Sequence, residues 1–182
     1  MGGRSGNLDI RRAMRRGRIA LLAAVTLGLS GCLVSEEPLI APGEAAFPLP
    51  NQASAERFKP GDNGWEHDED DSARRDGSRY VLTTPSGAME LTFRRIAENT
   101  YMVQSRTDPN ADYIYGLIVV DGGKVYEYGI DCTDFDATEL LSYGIVKKDN
   151  DDCTVTSANG LAAGSLAVLR KGKKPNGLYV LR

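Results

Sequence analysis

The sequence predicts an α+β domain, an antiparallel β-meander of about five to seven strands with one or two helices in its C-terminal part. Three observations carry that expectation. From about residue 79 onward apolar residues recur with period two, the pattern of strands with one buried face. The pair Gly122-Gly123 separates two runs rich in Tyr, Ile and Val, which is the chemistry of a tight hairpin. Beyond residue 135 the pattern changes to helix caps and helical spacing. A small all-β barrel is the alternative arrangement of the same strands.

Each element has a local reason. Met89, Leu91 and Phe93 alternate with Glu90, Thr92 and Arg94, and after a turn at Glu98-Asn99 the chain returns over 101–105. The runs 113–120 and 124–130 flank Asp121-Gly122-Gly123. If the glycines form the turn, Leu117 faces Tyr128, Val119 faces Tyr126 and Tyr115 faces Ile130, giving one aromatic-aliphatic face. The same register sets Gly116 opposite Gly129, a bare spot that a helix can approach closely. Asp136-Ala137-Thr138-Glu139 has capping-box spacing ahead of Leu140 and Leu141, with Gly144 as the stop. Over 159–170 a helix would align Leu161, Ala162, Ser165 and Leu169, although Gly160 and Gly164 weaken it and a strand is the alternative. Residues 177–182 read as a final strand.

The N-terminal third has a different composition. Six of the 22 basic residues and one of the 25 acids fall before residue 32. The stretch 19–29, IALLAAVTLGL, is apolar but shorter than the ~18 or more residues of a spanning helix. It leads into Leu29-Ser30-Gly31-Cys32. This order of basic region, short apolar core and small residues before a cysteine resembles a bacterial lipoprotein signal. The resemblance covers only that segment. It implies that Cys32 carries the lipid and that residues 1–31 are removed, Ser30 and Gly31 supplying the small side chains the peptidase needs. Two or three acyl chains anchor stably where one does not. Leu33 after the cysteine, rather than Asp, leans toward the outer membrane, facing the periplasm. Met14 would begin a more compact signal, and the twin arginines at 11–12 and 15–16 do not carry the flanking pattern of a twin-arginine signal.

Downstream, residues 32–60 hold five of the eight prolines and read as an extended tether, with packing of the segment at Phe47 to Pro50 on the domain as the alternative. Residues 61–78 read as an acidic, solvated lead-in loop anchored by Trp65, and 79–182 as the single globular domain. Removing 1–31 leaves 16 basic and 24 acidic residues, a net charge near −8. Such a surface disfavours nucleic acid, so membrane contact is expected through the lipid and any protein partner in the envelope. An export signal places Cys132 and Cys153 in an oxidising compartment, where a disulfide is expected.

Catalysis is not expected. The one histidine, His67, lies among Glu66, Asp68, Glu69, Asp70 and Asp71, and a nucleophilic triad needs a base elsewhere. There is no GxSxG, P-loop or GxGxxG motif. Neither calcium-loop register of the 66–71 acids fits, since Ala73 or Arg75 stands where glycine is required, and zinc would lack ligands. Asp131, Asp134, Asp136 and Glu139 suit helix capping. No metal or cofactor is expected, and the basic cluster Arg170, Lys171, Lys173 and Lys174 reads as a surface loop. The leading functional expectation is a lipid-anchored accessory or protein-interaction domain. The runner-up is a tethered carrier whose curled sheet encloses a small apolar ligand, and the third is an inhibitor of envelope hydrolases.

Overall fold

The computed structural model describes residues 32–148 and 152–182. The signal segment and the start of the acidic run at 149–152 lie outside the described residues. In chain order the strands are β1 (Leu33–Ser35), β2 (Gln52–Gly61), β3 (Gly64–Asp76), β4 (Arg79–Thr84), β5 (Gly87–Ala97), β6 (Thr100–Arg106), β7 (Tyr113–Asp121) and β8 (Lys124–Tyr128). Helix α1 (Ala137–Ser142), strands β9 (Ile145–Lys147) and β10 (Cys153–Val155), helix α2 (Ala158–Arg170) and strand β11 (Gly177–Leu181) follow.

An open meander of five to seven strands is not what forms. Strands β2 to β8 run in order, β8 pairs with β11, and β11 pairs with β2, so eight antiparallel strands close a barrel. Closure satisfies every edge of the ladder, which an open sheet leaves unpaired. The barrel alternative therefore holds, with both helices retained in the segment between β8 and β11. Strands β1, β10 and β9 extend the sheet from the start of β7.

The two additional barrel strands come from sequence that had read as tether and loop. Residues 52–61 and 64–76 form a long hairpin, with ten paired positions from Gln52 and Arg74 to Gly61 and Gly64 and a bulge after Arg57. The rest of the supposed tether packs on the barrel, first against the outer wall at Leu39 and Ile40 and then against the interior cluster at Ala46 and Leu49. Gln104 Oε1 accepts from the backbone N–H groups of Leu39 and Ile40 at 2.8 and 3.0 Å. Ala46 bridges Phe93, and Tyr80 donates its hydroxyl to the carbonyl of Leu49 at 2.6 Å. Phe47 lies under the Arg75 guanidinium at 3.4 Å. Proline fixed the backbone here without holding it off the domain. Trp65 anchors nothing in the core; it sits opposite Pro60 near the hairpin tip and is exposed.

The central hairpin forms as its glycines require. Gly122 and Gly123 have φ of 52° and 84°, and Leu117 faces Tyr128 while Val119 faces Tyr126. The ladder stops there, so Tyr115 does not face Ile130 and Gly116 does not face Gly129. Instead Gly129 N–H donates to Asn176 Oδ1 at 2.7 Å, and Gly116 pairs with Val103.

The 129–176 annexe covers the outer face of β6 and β7, burying Met102, Tyr115 and Leu117 against Ile130, Phe135, Leu161 and Val168. The Cys132–Cys153 disulfide closes it, a loop closure of roughly 3 kcal/mol. Asp136 caps α1 through Thr138 N–H and Glu139 N–H, with Glu139 returning to Asp136 N–H at 3.0 Å. Segment 159–170 is helical, and its glycines are the reason it fits. A Cβ on Gly160 would strike the carbonyl of Tyr143, and one on Gly164 would sit 3.0 Å from the Tyr143 ring. Its buried side is Leu161, Gly164, Ser165 and Val168, turned slightly from the expected stripe. Lys171 pairs with Glu139 and Lys173 with Asp134, so the basic loop clips α2 back onto the caps.

Candidate functional site

Residues opposite one another on neighbouring antiparallel strands share a face, so the register identifies the side chains that enter the barrel. On β4 to β7 these include Tyr80, Leu91, Phe93, Tyr101 and Ile118. Tyr80, Phe93 and Tyr101 are buried, with the Tyr80 and Phe93 rings edge to face at 5.5 Å. On β2, β3, β8 and β11 the same face presents Ala55, Arg57, Glu69, Asp71, Glu127 and Tyr179. One side of the interior is apolar and aromatic; the other sets an ionic group among Val125, Leu181 and Ala73.

The ionic wall is unevenly paired. Arg57 donates to Asp68 at 2.7 Å and contacts Glu69, while its Nε lies 4.0 Å from Asp71 and has no hydrogen-bond partner. Lys59 also bonds Asp68, and the two cations hold that carboxyl below its ordinary range. Tyr179 donates to Glu127 at 2.9 Å; burial and then the Glu127 charge push its phenol well above the ordinary value. Gly177 makes that contact possible, because a Cβ there would lie 2.7 Å from Glu127 Oε2.

Asp71 is the residue left over. It is 4% exposed, and neither carboxylate oxygen has a hydrogen-bond partner. Burial pushes its pKa up to about 6, opposed by Arg57 and reinforced by Glu69, Asp68 and Glu127. Buried carboxylates are ordinarily paired, since stranding one costs several kcal/mol. Its interior neighbours are small, Ala55 directly across on β2 and Ala73 two residues on along β3. The interior is not filled evenly along its length. Toward the turns at 62–63, 85–86 and 107–112, the inward-facing Leu82, Met89, Leu91, Val103 and Ser105 are part-exposed. Gly116 also faces inward and is part-exposed, and a Cβ placed on it would meet only the Tyr128 carbonyl, at 3.6 Å. Solvent therefore reaches the interior from that end, while Phe93, Tyr101 and Ile118 are buried toward the other.

The acids read as a solvated loop divide across β3. Glu66, His67 and Asp70 are exposed, Asp68 and Glu69 are part-buried, and Asp71 is inside. Among the described residues no group of three or more His, Cys, Asp or Glu side chains is arranged to hold a metal ion. The signal that marked the ionic wall was present in the sequence as Ala53, Ala55 and Arg57 alternating with Ser54 and Glu56. Small and charged residues there hold the inward positions that apolar residues hold elsewhere.

Cys32 is part-exposed immediately before β1, bridged to Asp131, with its carbonyl accepting from Cys153 N–H at 3.0 Å. Leu33, the next residue, is fully buried. On the outer wall Tyr126, Leu178, Phe58 and His67 form a row across β8, β11, β2 and β3. Beside it a shallow, open depression of about 470 Å³ is lined by Val119, Tyr126, Tyr128 and Pro175 among others. Among the described residues no helix is long and apolar enough to cross a membrane. No protein-family model, curated protein or solved structure matches the chain.

Proposed function

We propose that the chain is a lipid-anchored protein of the cell envelope, on the outer membrane facing the periplasm, whose barrel takes up a small ligand at its ionic wall. The observation that carries this reading is Asp71, a buried carboxylate without a hydrogen-bond partner in an interior that solvent enters. Groups left unsatisfied inside an otherwise consistent core concentrate at functional sites. Binding is favoured over catalysis because the one histidine lies on β3 opposite Phe58, on the barrel's outer wall. The carrier reading thus displaces the accessory domain as the leading one, and its ligand needs a polar group as well as an apolar body.

Anchoring rests on the signal-like segment ending in Leu29-Ser30-Gly31-Cys32, and the burial of Leu33 sets how near the fold it would act. With no spacer between Cys32 and the fold, acyl chains on Cys32 would hold the barrel directly against the bilayer. Cys32→Ala should release the protein from the membrane fraction and leave its signal segment uncut; unchanged membrane retention would refute the anchor. For the carrier, protein extracted from its own envelope is examined by native mass spectrometry. A stoichiometric adduct lost on denaturation is expected, whereas uniformly bare protein that also fails to bind added amphiphiles would refute the reading.

A second reading has its own observation. The outer row of Tyr126, Leu178 and Phe58 beside the open depression suits a protein partner in the envelope. Charge substitutions at Tyr126 and Phe58 that abolish capture of an envelope protein, with small-molecule binding unchanged, would favour it.

A further inference from the structure

Resting on the carrier reading, we infer that the ligand is a cationic amphiphile, an ammonium or related donor group that pairs with Asp71 while its apolar body lies along Leu82, Leu91 and Val103. The charge count of the wall sets the sign. Asp71, Glu69 and Glu127 face inward beside the guanidinium of Arg57, whereas Arg75 and Arg95, inward by register as well, turn theirs to Phe47 and the Gly77 carbonyl and to Tyr101. The Arg57 guanidinium is already engaged by Asp68 and Glu69. Asp71 and Glu127 are left without a hydrogen-bonded cation in a low-dielectric interior, where a carboxylate or phosphate ligand would add a third negative charge. An entering cation supplies both what the field lacks and the donors that the two Asp71 oxygens lack.

Shape supports the same class. Around Asp71 the wall is cut back to Ala55 and Ala73, so that no bulky side chain stands beside the carboxylate on its own strand or directly across on β2. Leu82 faces Ala73 across the β3–β4 ladder, one inward position from Asp71, and Leu91 and Val103 continue the apolar path on β5 and β6. All three are part-exposed, on the end of the barrel that solvent enters. Gly116 leaves the facing wall bare. A polar head beside an apolar strip is the arrangement small-ligand sites use to fix orientation. The raised pKa of Asp71 is the electrostatic counterpart of the same vacancy, since a bound cation would lower it again.

The test uses the full-length protein and three matched probes, hexylamine, hexanoate and hexanol, followed by titration calorimetry at pH 8. Hexylamine is expected to bind at one site at least tenfold more tightly than hexanoate or hexanol. Asp71→Asn should lose at least tenfold in hexylamine affinity. Asp70→Asn, which removes an exposed acid one residue away, should lose less than twofold. Unfolding curves of both variants establish that they are folded. Hexanoate or hexanol binding as tightly as hexylamine, or hexylamine binding unaltered by Asp71→Asn, would overturn the inference and leave the carrier reading standing. Failure of all three probes to bind would overturn the carrier reading itself.

Discussion

Across the barrel, β4 to β7 fill the interior with Tyr80, Phe93, Tyr101 and Ile118, whereas β8, β11, β2 and β3 present Glu127, Tyr179, Arg57 and Asp71. The first wall stabilises in the ordinary way, a buried aromatic side chain being worth about 2–3 kcal/mol. The second opposes it. Its charges are withdrawn from water, and one carboxylate is withdrawn without a hydrogen-bond partner. The contrast teaches which side maintains the fold and which side is kept for another purpose. A barrel selected only for stability would carry apolar residues at 57, 69 and 71 as well.

Substitutions on the two walls should separate these roles. The largest effect is expected from Phe93→Ala, which empties the centre of the apolar wall and should cost about 3–5 kcal/mol in urea-unfolding free energy. A loss below about 1 kcal/mol would mean that this wall does not hold the barrel. Arg57→Leu should cost less, about 2–3 kcal/mol, because it strands Glu69 and takes from Asp71 its nearby opposing charge, yet removes a part-exposed group. A stabilising effect there would show that the ionic wall pairs well without its cation. The smallest effect is expected from Gly116→Ala, where the new Cβ meets only ordinary contact. Its stability should stay within about 0.5 kcal/mol. Binding should weaken there, since the methyl enters the open interior; unchanged binding would place the ligand elsewhere.

The difference between the walls also explains what was legible in the sequence. Met89, Leu91 and Phe93 declare a strand because three successive inward positions are apolar, and Gly122-Gly123 fixed the neighbouring hairpin's register correctly as far as Tyr128. The capping box at Asp136 and the disulfide partners were likewise local signals. Strands β2 and β3 carried none. Their inward positions include Ala53, Ala55, Arg57, Glu69, Asp71, Ala73 and Arg75, so the period-two alternation of apolarity disappears and composition suggests tether and loop. Closure of the barrel was hidden for that reason, and Asp71 was hidden among five other titratable neighbours. The residues that concealed the two strands are those that compose the candidate site. Gly160 and Gly164 were misleading in the opposite direction, weakening a helix on propensity while being what lets it pack on Tyr143.

Asp71 tests the comparison most directly, through stability as a function of pH. Its folded pKa of about 6 lies above the roughly 3.9 of an unfolded aspartate, so between these values the folded state binds more protons. Its contribution to stability is therefore fully present below about pH 4 and is lost as pH rises through about 6. Urea unfolding of the wild type and Asp71→Asn at pH 4 and pH 7 isolates that contribution. Relative to the variant, the wild type should lose roughly 2 kcal/mol between the two pH values, leaving Asp71→Asn the more stable protein at pH 7. An Asp71→Asn variant less stable than wild type at pH 7 would contradict the account, because Asp71 would then be a paired structural residue and the ionic wall part of the core.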